Sequence, residues 1–138
     1  MRRLLGFVAF AAVVAAVLVA ASPSGAKEGV VARVLTPIPR TAEVGSRITV
    51  VWTLYHVEAG KRVPFNASGV FVRIFGFSGR HSPRAYATQP AVGRYRAAVR
   101  VPRGGVHRVA IGLMGTSCEA SGCRPSPAIF RIVGVAIR

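Results

Sequence analysis

From residue 29 onward, apolar and polar positions alternate in short runs punctuated by glycine and proline, the pattern of half-buried extended chain. In "RITVVWTLYHV" the set Ile48, Val50, Trp52 and Leu54 falls on one side, with Thr49, Thr53 and Tyr55 on the other. "GRYRAAVRVP" sets Tyr95, Ala97, Val99 and Val101 against Arg94, Arg96 and Arg100, and "VHRVAIGLM" sets His107, Val109, Ile111 and Leu113 against Arg108. These runs predict strands, with others over 29–35, 69–77 and 128–137 and a short one near 84–88. No helical period of useful length and no internal repeat occurs beyond the N-terminal segment. The pattern predicts an all-β fold, an immunoglobulin-like β-sandwich of about seven antiparallel strands, with a closed barrel as the alternative.

Two stretches leave a choice open. Residues 76–93 form the longest irregular run, which reads as a binding loop or as a long connection between sheets. In the 69–77 run, Phe71, Phe75 and Phe77 oppose the inward set Val70, Val72 and Ile74. Either that strand is covered on both faces, or an aromatic stripe lies exposed beside Arg73 as a partner surface.

The N-terminus changes the setting. Arg2 and Arg3 precede 18 uncharged residues, Leu4 to Ala21, followed by Pro23 and the small-x-small triplet Ser24-Gly25-Ala26. This layout predicts a signal peptide over residues 1–26, with an uncleaved membrane anchor as the competing reading. Both place residues 27–138, one domain, outside the cytoplasm, secreted or in the cell envelope. The absence of cysteine near the signal excludes a lipoprotein anchor.

The whole chain carries 19 Lys+Arg against four Glu and no Asp, a net charge of +15, which becomes about +13 once Arg2 and Arg3 are set aside. Arg94, Arg96 and Arg100, with Arg103 just beyond them, should lie on the outer face of one sheet, and Arg73, Arg108 and Arg131 on the other. Charge spread in this way, on an exported chain, argues against a nucleic-acid groove. It points to anionic envelope polymers or lipid headgroups, with another envelope protein as the remaining class of partner.

Catalytic chemistry is poorly supplied, which predicts a non-enzymatic binding domain. The carboxylates are Glu28, Glu43, Glu58 and Glu119, placed at a terminus, in turns or beside a cysteine, and no Gly-x-Ser-x-Gly elbow occurs. Asn66-Ala67-Ser68 matches a glycosylation sequon by pattern alone. His56, His81 and His107 could gather with Met114 around copper or zinc, although His107 stands where sandwiches often place a corner tyrosine. The two cysteines, Cys118 and Cys123, lack thioredoxin-type spacing, and neither His nor Met follows as a blue-copper site requires. An exported chain then predicts a disulfide closing a tight loop, worth about 2 kcal/mol by loop entropy.

Trp52 on an early strand, "PFNASGVFVRIFG" after it and "GRYRAAVRVPRGGVHRVAIGL" further on resemble the small exported YtkA-like and FixH-like domains. The resemblance covers about residues 30–135 and rests on strand and turn chemistry. It implies an immunoglobulin-like sandwich of the bacterial envelope. It also implies the alternative function, a copper-handling or respiratory-complex assembly accessory. The chain departs from these domains in its cysteine pair and in lacking a His-rich or Met-rich motif.

Overall fold

The computed structural model describes residues 29–133 and residue 137; the signal or anchor expected over 1–26 lies outside the described residues. Among the described residues ten strands follow one another without a helix: β1 (Val30–Val34), β2 (Arg47–Glu58), β3 (Lys61–Pro64), β4 (Val70–Phe75), β5 (Ala85–Tyr86), β6 (Thr88–Ala91), β7 (Arg94–Arg100), β8 (Arg108–Glu119), β9 (Gly122–Ile129) and β10 (Arg131–Val133). They form two separate sheets, not one closed barrel. One runs β10-β1-β2-β7-β6 with β3 beside β2, and the other runs β5-β4-β8-β9. All pairings are antiparallel except β1 with β10, which is parallel.

The period-2 runs become strands because alternate side chains of an extended chain leave on opposite faces. Along β7 burial alternates at every residue, with Tyr95, Ala97 and Val99 inward and the arginines exposed. Trp52, Leu54 and Val50 of β2 face Val72 and Ile74 of β4 and Ile111 of β8 in one core between the sheets. Trp52 and Tyr95, cross-strand partners, stack with ring centres 6.1 Å apart.

β4 departs from simple alternation because it is buried on both faces. Phe71, on the outer side, is only 2% exposed. Its ring fits against Gly112, where a Cβ would come within 2.7 Å of the Phe71 Cζ atom. Any larger residue at 112 would lift the ring off the sheet.

Several expected boundaries move. The single strand expected over 128–137 is divided: β9 stays with β8, Phe130 is buried at the crossing, and β10 joins the other sheet. The strand near 84–88 is likewise two short ones, β5 at the edge of one sheet and β6 at the edge of the other. Residues 76–93 are therefore a paired connection between sheets. β3 was hidden by its short, charged sequence "KRVP". His107, expected inward, is exposed, since β8 begins one residue later.

Prolines blunt the open edges. Met114 donates its amide to Gly69 on the β4 side, so the β9 residues opposite Met114 and Thr116, Pro127 and Pro125, sit at non-hydrogen-bonded positions. An N–H there would point outward as a template for another strand, and proline removes it. Pro90 stands in the edge strand β6.

Candidate functional site

The outer face of the six-stranded sheet collects arginine because register brings odd- and even-numbered outward positions together. Arg47 is the cross-strand partner of Arg100, Val51 of Arg96 and Thr53 of both Arg94 and Arg33, while Arg62 faces Val57. Six arginines from four strands thus share one face, where Thr49, Thr53, Val51 and Ala98 stand between them. Among the described residues the ion pair found is His56–Glu58 at 3.7 Å, and none involves these arginines. Arg47 and Arg100 are like charges placed directly opposite each other, an arrangement that repels unless something anionic lies between. The Arg100 Nε donates to the Gly45 carbonyl at 3.1 Å, which fixes its stem.

Grooves open at both ends of this face. One, of about 290 Å³, lies where β3 and β7 meet end to end along the same edge of β2; Arg33, Arg62, Tyr55, Thr53 and Val92 line it. Its walls are held by the loop between β3 and β4. The Tyr95 hydroxyl donates to the Phe65 carbonyl at 2.9 Å and accepts from the Ala67 amide at 2.8 Å. The Asn66 Oδ1 accepts from the Gly93 amide at 2.9 Å, at a turn where Gly93 has φ +66° and a Cβ would strike Pro64. Asn66 is therefore a clamp for this junction. Burial pushes the Tyr95 phenol above its ordinary value, opposed by the hydrogen bond from Ala67.

At the other end, two grooves of about 260 and 360 Å³ adjoin, sharing Pro83 and Arg100. Arg80, His81 and Arg103 line the first, Arg47 and Arg84 the second. Segment 80–84 forms the rim. Ser82, 2% exposed, anchors it by accepting from the Ile74 amide at 2.9 Å and donating to the Pro83 carbonyl at 2.9 Å.

Arg62 of the six-stranded sheet lies 5.0 Å from the Tyr55 ring centre, and on the four-stranded sheet such ring contacts hold Arg84 and Arg108. The Arg84 guanidinium lies 5.1 Å from the Phe71 ring centre and that of Arg108 lies 4.3 Å from Phe75, with Tyr86 and His81 edge-on to the same two rings. The Nε atoms of Arg73 and Arg84 are buried there without a hydrogen-bond partner. Of the three phenylalanines, Phe71 is buried, Phe75 half-buried under Arg108, and Phe77 exposed against His107 at 4.5 Å. They do not form one stripe.

The expected residues sort unevenly. Arg94, Arg96 and Arg100 are brought together as read, and Arg103 joins the groove next to Arg100. Arg73 and Arg108 are on the four-stranded sheet, but Arg131 belongs to β10 and hence to the six-stranded one. His56 packs edge-on to Phe65 on one sheet, whereas His81 and His107 flank opposite sides of Phe75 on the other. Met114 sits at the far end of the β4–β8 ladder, beside Gly69. The structure does not bring these four together, and among the described residues no three His, Cys, Asp or Glu cluster. Cys118 and Cys123 are cross-strand partners in the β8–β9 hairpin, next to its Ala120-Ser121 turn.

Arg33, Arg47, Arg62, Arg80 and Arg84 were missed. The parity that placed Thr49 and Thr53 outward gives Arg47 as well, but nothing local carries segment 80–84 to the end of β7. Comparison with family models, curated proteins and solved structures finds no match.

Proposed function

We propose that this is an exported, non-enzymatic β-sandwich domain that binds anionic polymers or lipid headgroups of the cell envelope through the outer face of its six-stranded sheet. One observation carries the reading: six arginines share that face without an ion-pair partner among the described residues, and two of them, Arg47 and Arg100, oppose each other. Such a field attracts polyanions without a shaped site. The immunoglobulin-like topology and the YtkA-like and FixH-like kinship belong to the same proposal, supported by the two-sheet sandwich, Trp52 in its core and the Tyr95 loop tie.

A Cys118–Cys123 disulfide is also part of it. The pair occupies a non-hydrogen-bonded position of the ladder, where Cα atoms are about 4.5 Å apart, within the range a disulfide spans. Mass spectrometry of protein from the oxidising compartment should find the chain two mass units (about 2 Da) lighter than its reduced form. Alkylatable thiols at both positions would remove the staple from the account.

The binding reading is tested by cosedimentation with anionic vesicles or anionic wall polymer across a salt series. Binding should be present at low salt and fade as screening shortens the reach of exposed charge to about 8 Å near physiological ionic strength. Reversing Arg94, Arg96 and Arg100 to Glu should weaken it. No binding even at low salt would reduce the arginines to a solvated surface.

A further inference from the structure

We propose that the two adjoining grooves beneath segment 80–84 form a subsite for a single linear phosphate polymer, threaded between that segment and the end of β7. The inference rests on the polyanion reading above and names where and what that surface selects. The grooves, about 260 and 360 Å³, share Pro83 and Arg100 in their linings and so lie side by side along segment 80–84. Arg80 and Arg103 stand along one part and Arg47 along the other, where Arg84, its guanidinium held over the Phe71 ring, forms part of the wall. None of these guanidinium groups has an ion-pair partner among the described residues. A concave channel with successive cations admits a chain carrying repeated anions and excludes a flat bilayer surface.

Phosphate fits better than carboxylate. Arg47 and Arg100 approach from directly opposite strand positions, so an anion between them meets two guanidinium forks from two sides. The oxygens on tetrahedral phosphorus diverge out of one plane and can satisfy both forks, whereas those of a carboxylate lie in a single plane. The rim is built before ligand arrives, because Ser82 pins segment 80–84 to β4 through its buried hydroxyl and Arg100 is held by the Gly45 carbonyl. Little ordering is then required on binding.

The test uses titration calorimetry of the purified protein at low salt with a short linear polyphosphate, and with polyglutamate of matched charge. Two variants remove equal charge from equally exposed positions: Arg47→Gln/Arg80→Gln/Arg103→Gln in the channel, and Arg33→Gln/Arg94→Gln/Arg96→Gln on the open face. The channel variant should lose about tenfold or more in polyphosphate affinity, and the face variant less than about threefold, through the field alone. Wild type should prefer polyphosphate to polyglutamate. Equal losses in the two variants would overturn the channel while leaving the charge-field reading intact. Equal affinity for the two polymers would overturn the phosphate selectivity. Binding of neither polymer by wild type would overturn both readings.

Discussion

On the four-stranded sheet, Arg108 and Arg84 lie over Phe75 and Phe71, while on the six-stranded sheet Arg94, Arg96 and Arg100 stand exposed among threonine, alanine and valine. Apart from Arg62, which lies 5.0 Å from the Tyr55 ring centre on the six-stranded sheet, the same residue type does different work on the two faces. A guanidinium over an aromatic ring is held by the ring's quadrupole and shields apolar surface with its stem. An unpaired one keeps its charge and its donor fork available to a ligand. Basicity by itself therefore does not locate a binding surface; the neighbours that occupy or spare each guanidinium do.

The largest expected effect lies on the covered face. Phe71→Ala should destabilise by about 3–5 kcal/mol in chemical denaturation, because a 2% exposed ring is removed from between Gly112, Tyr86 and Arg84. A loss below about 0.5 kcal/mol, the size of an ordinary surface change, would mean that this face is as open as the other.

Within β7 the same contrast holds between inward and outward positions. Tyr95→Phe should cost about 1–3 kcal/mol, since the Ala67 amide and the Phe65 carbonyl lose their partner at the β3–β7 junction. It should also alter alkaline behaviour. Burial raises the Tyr95 pKa above 10.0, so the folded protein holds the phenolic proton more tightly than the unfolded chain does. That contribution is fully present below pH 10 and is lost as pH rises through the folded value. Wild type should thus show an alkaline loss of stability in that window that Tyr95→Phe lacks, measured by denaturant midpoints at successive pH values. Parallel curves would contradict the burial effect.

Smaller still is Arg108→Ala. Removing a guanidinium 4.3 Å from the Phe75 ring should lower stability by about 0.5–1 kcal/mol. Arg96→Ala, by contrast, should stay within about 0.5 kcal/mol of wild type, because its side chain is exposed on the outer face. Equal thermal shifts for the two variants would erase the distinction between cover and free charge.

Much of this division was legible in the chain. Alternation in "GRYRAAVRVP" placed three arginines outward, and alternation in "RITVVWTLYHV" put Trp52 inside, because both strands have one wet and one dry face. The 69–77 run could not be decided in the same way. Whether Phe71 is covered depends on a glycine some forty residues later and on Tyr86 from a two-residue strand. The β9–β10 crossing was hidden for a related reason: the apolar run continues through Phe130 while the hydrogen-bond partner changes. The channel depends on segment 80–84 reaching β7, a tertiary approach with no local signature.

The central claim is that free arginines bind and ring-bound arginines cover. It is tested most directly by comparing two double variants of equal charge, Arg96→Gln/Arg100→Gln and Arg84→Gln/Arg108→Gln, for thermal stability and for affinity toward an anionic polymer at low salt. The account predicts that the first loses affinity with little change in Tm, while the second loses Tm and retains most of its affinity. Equal loss of affinity in the two, or a greater loss in the second, would contradict it.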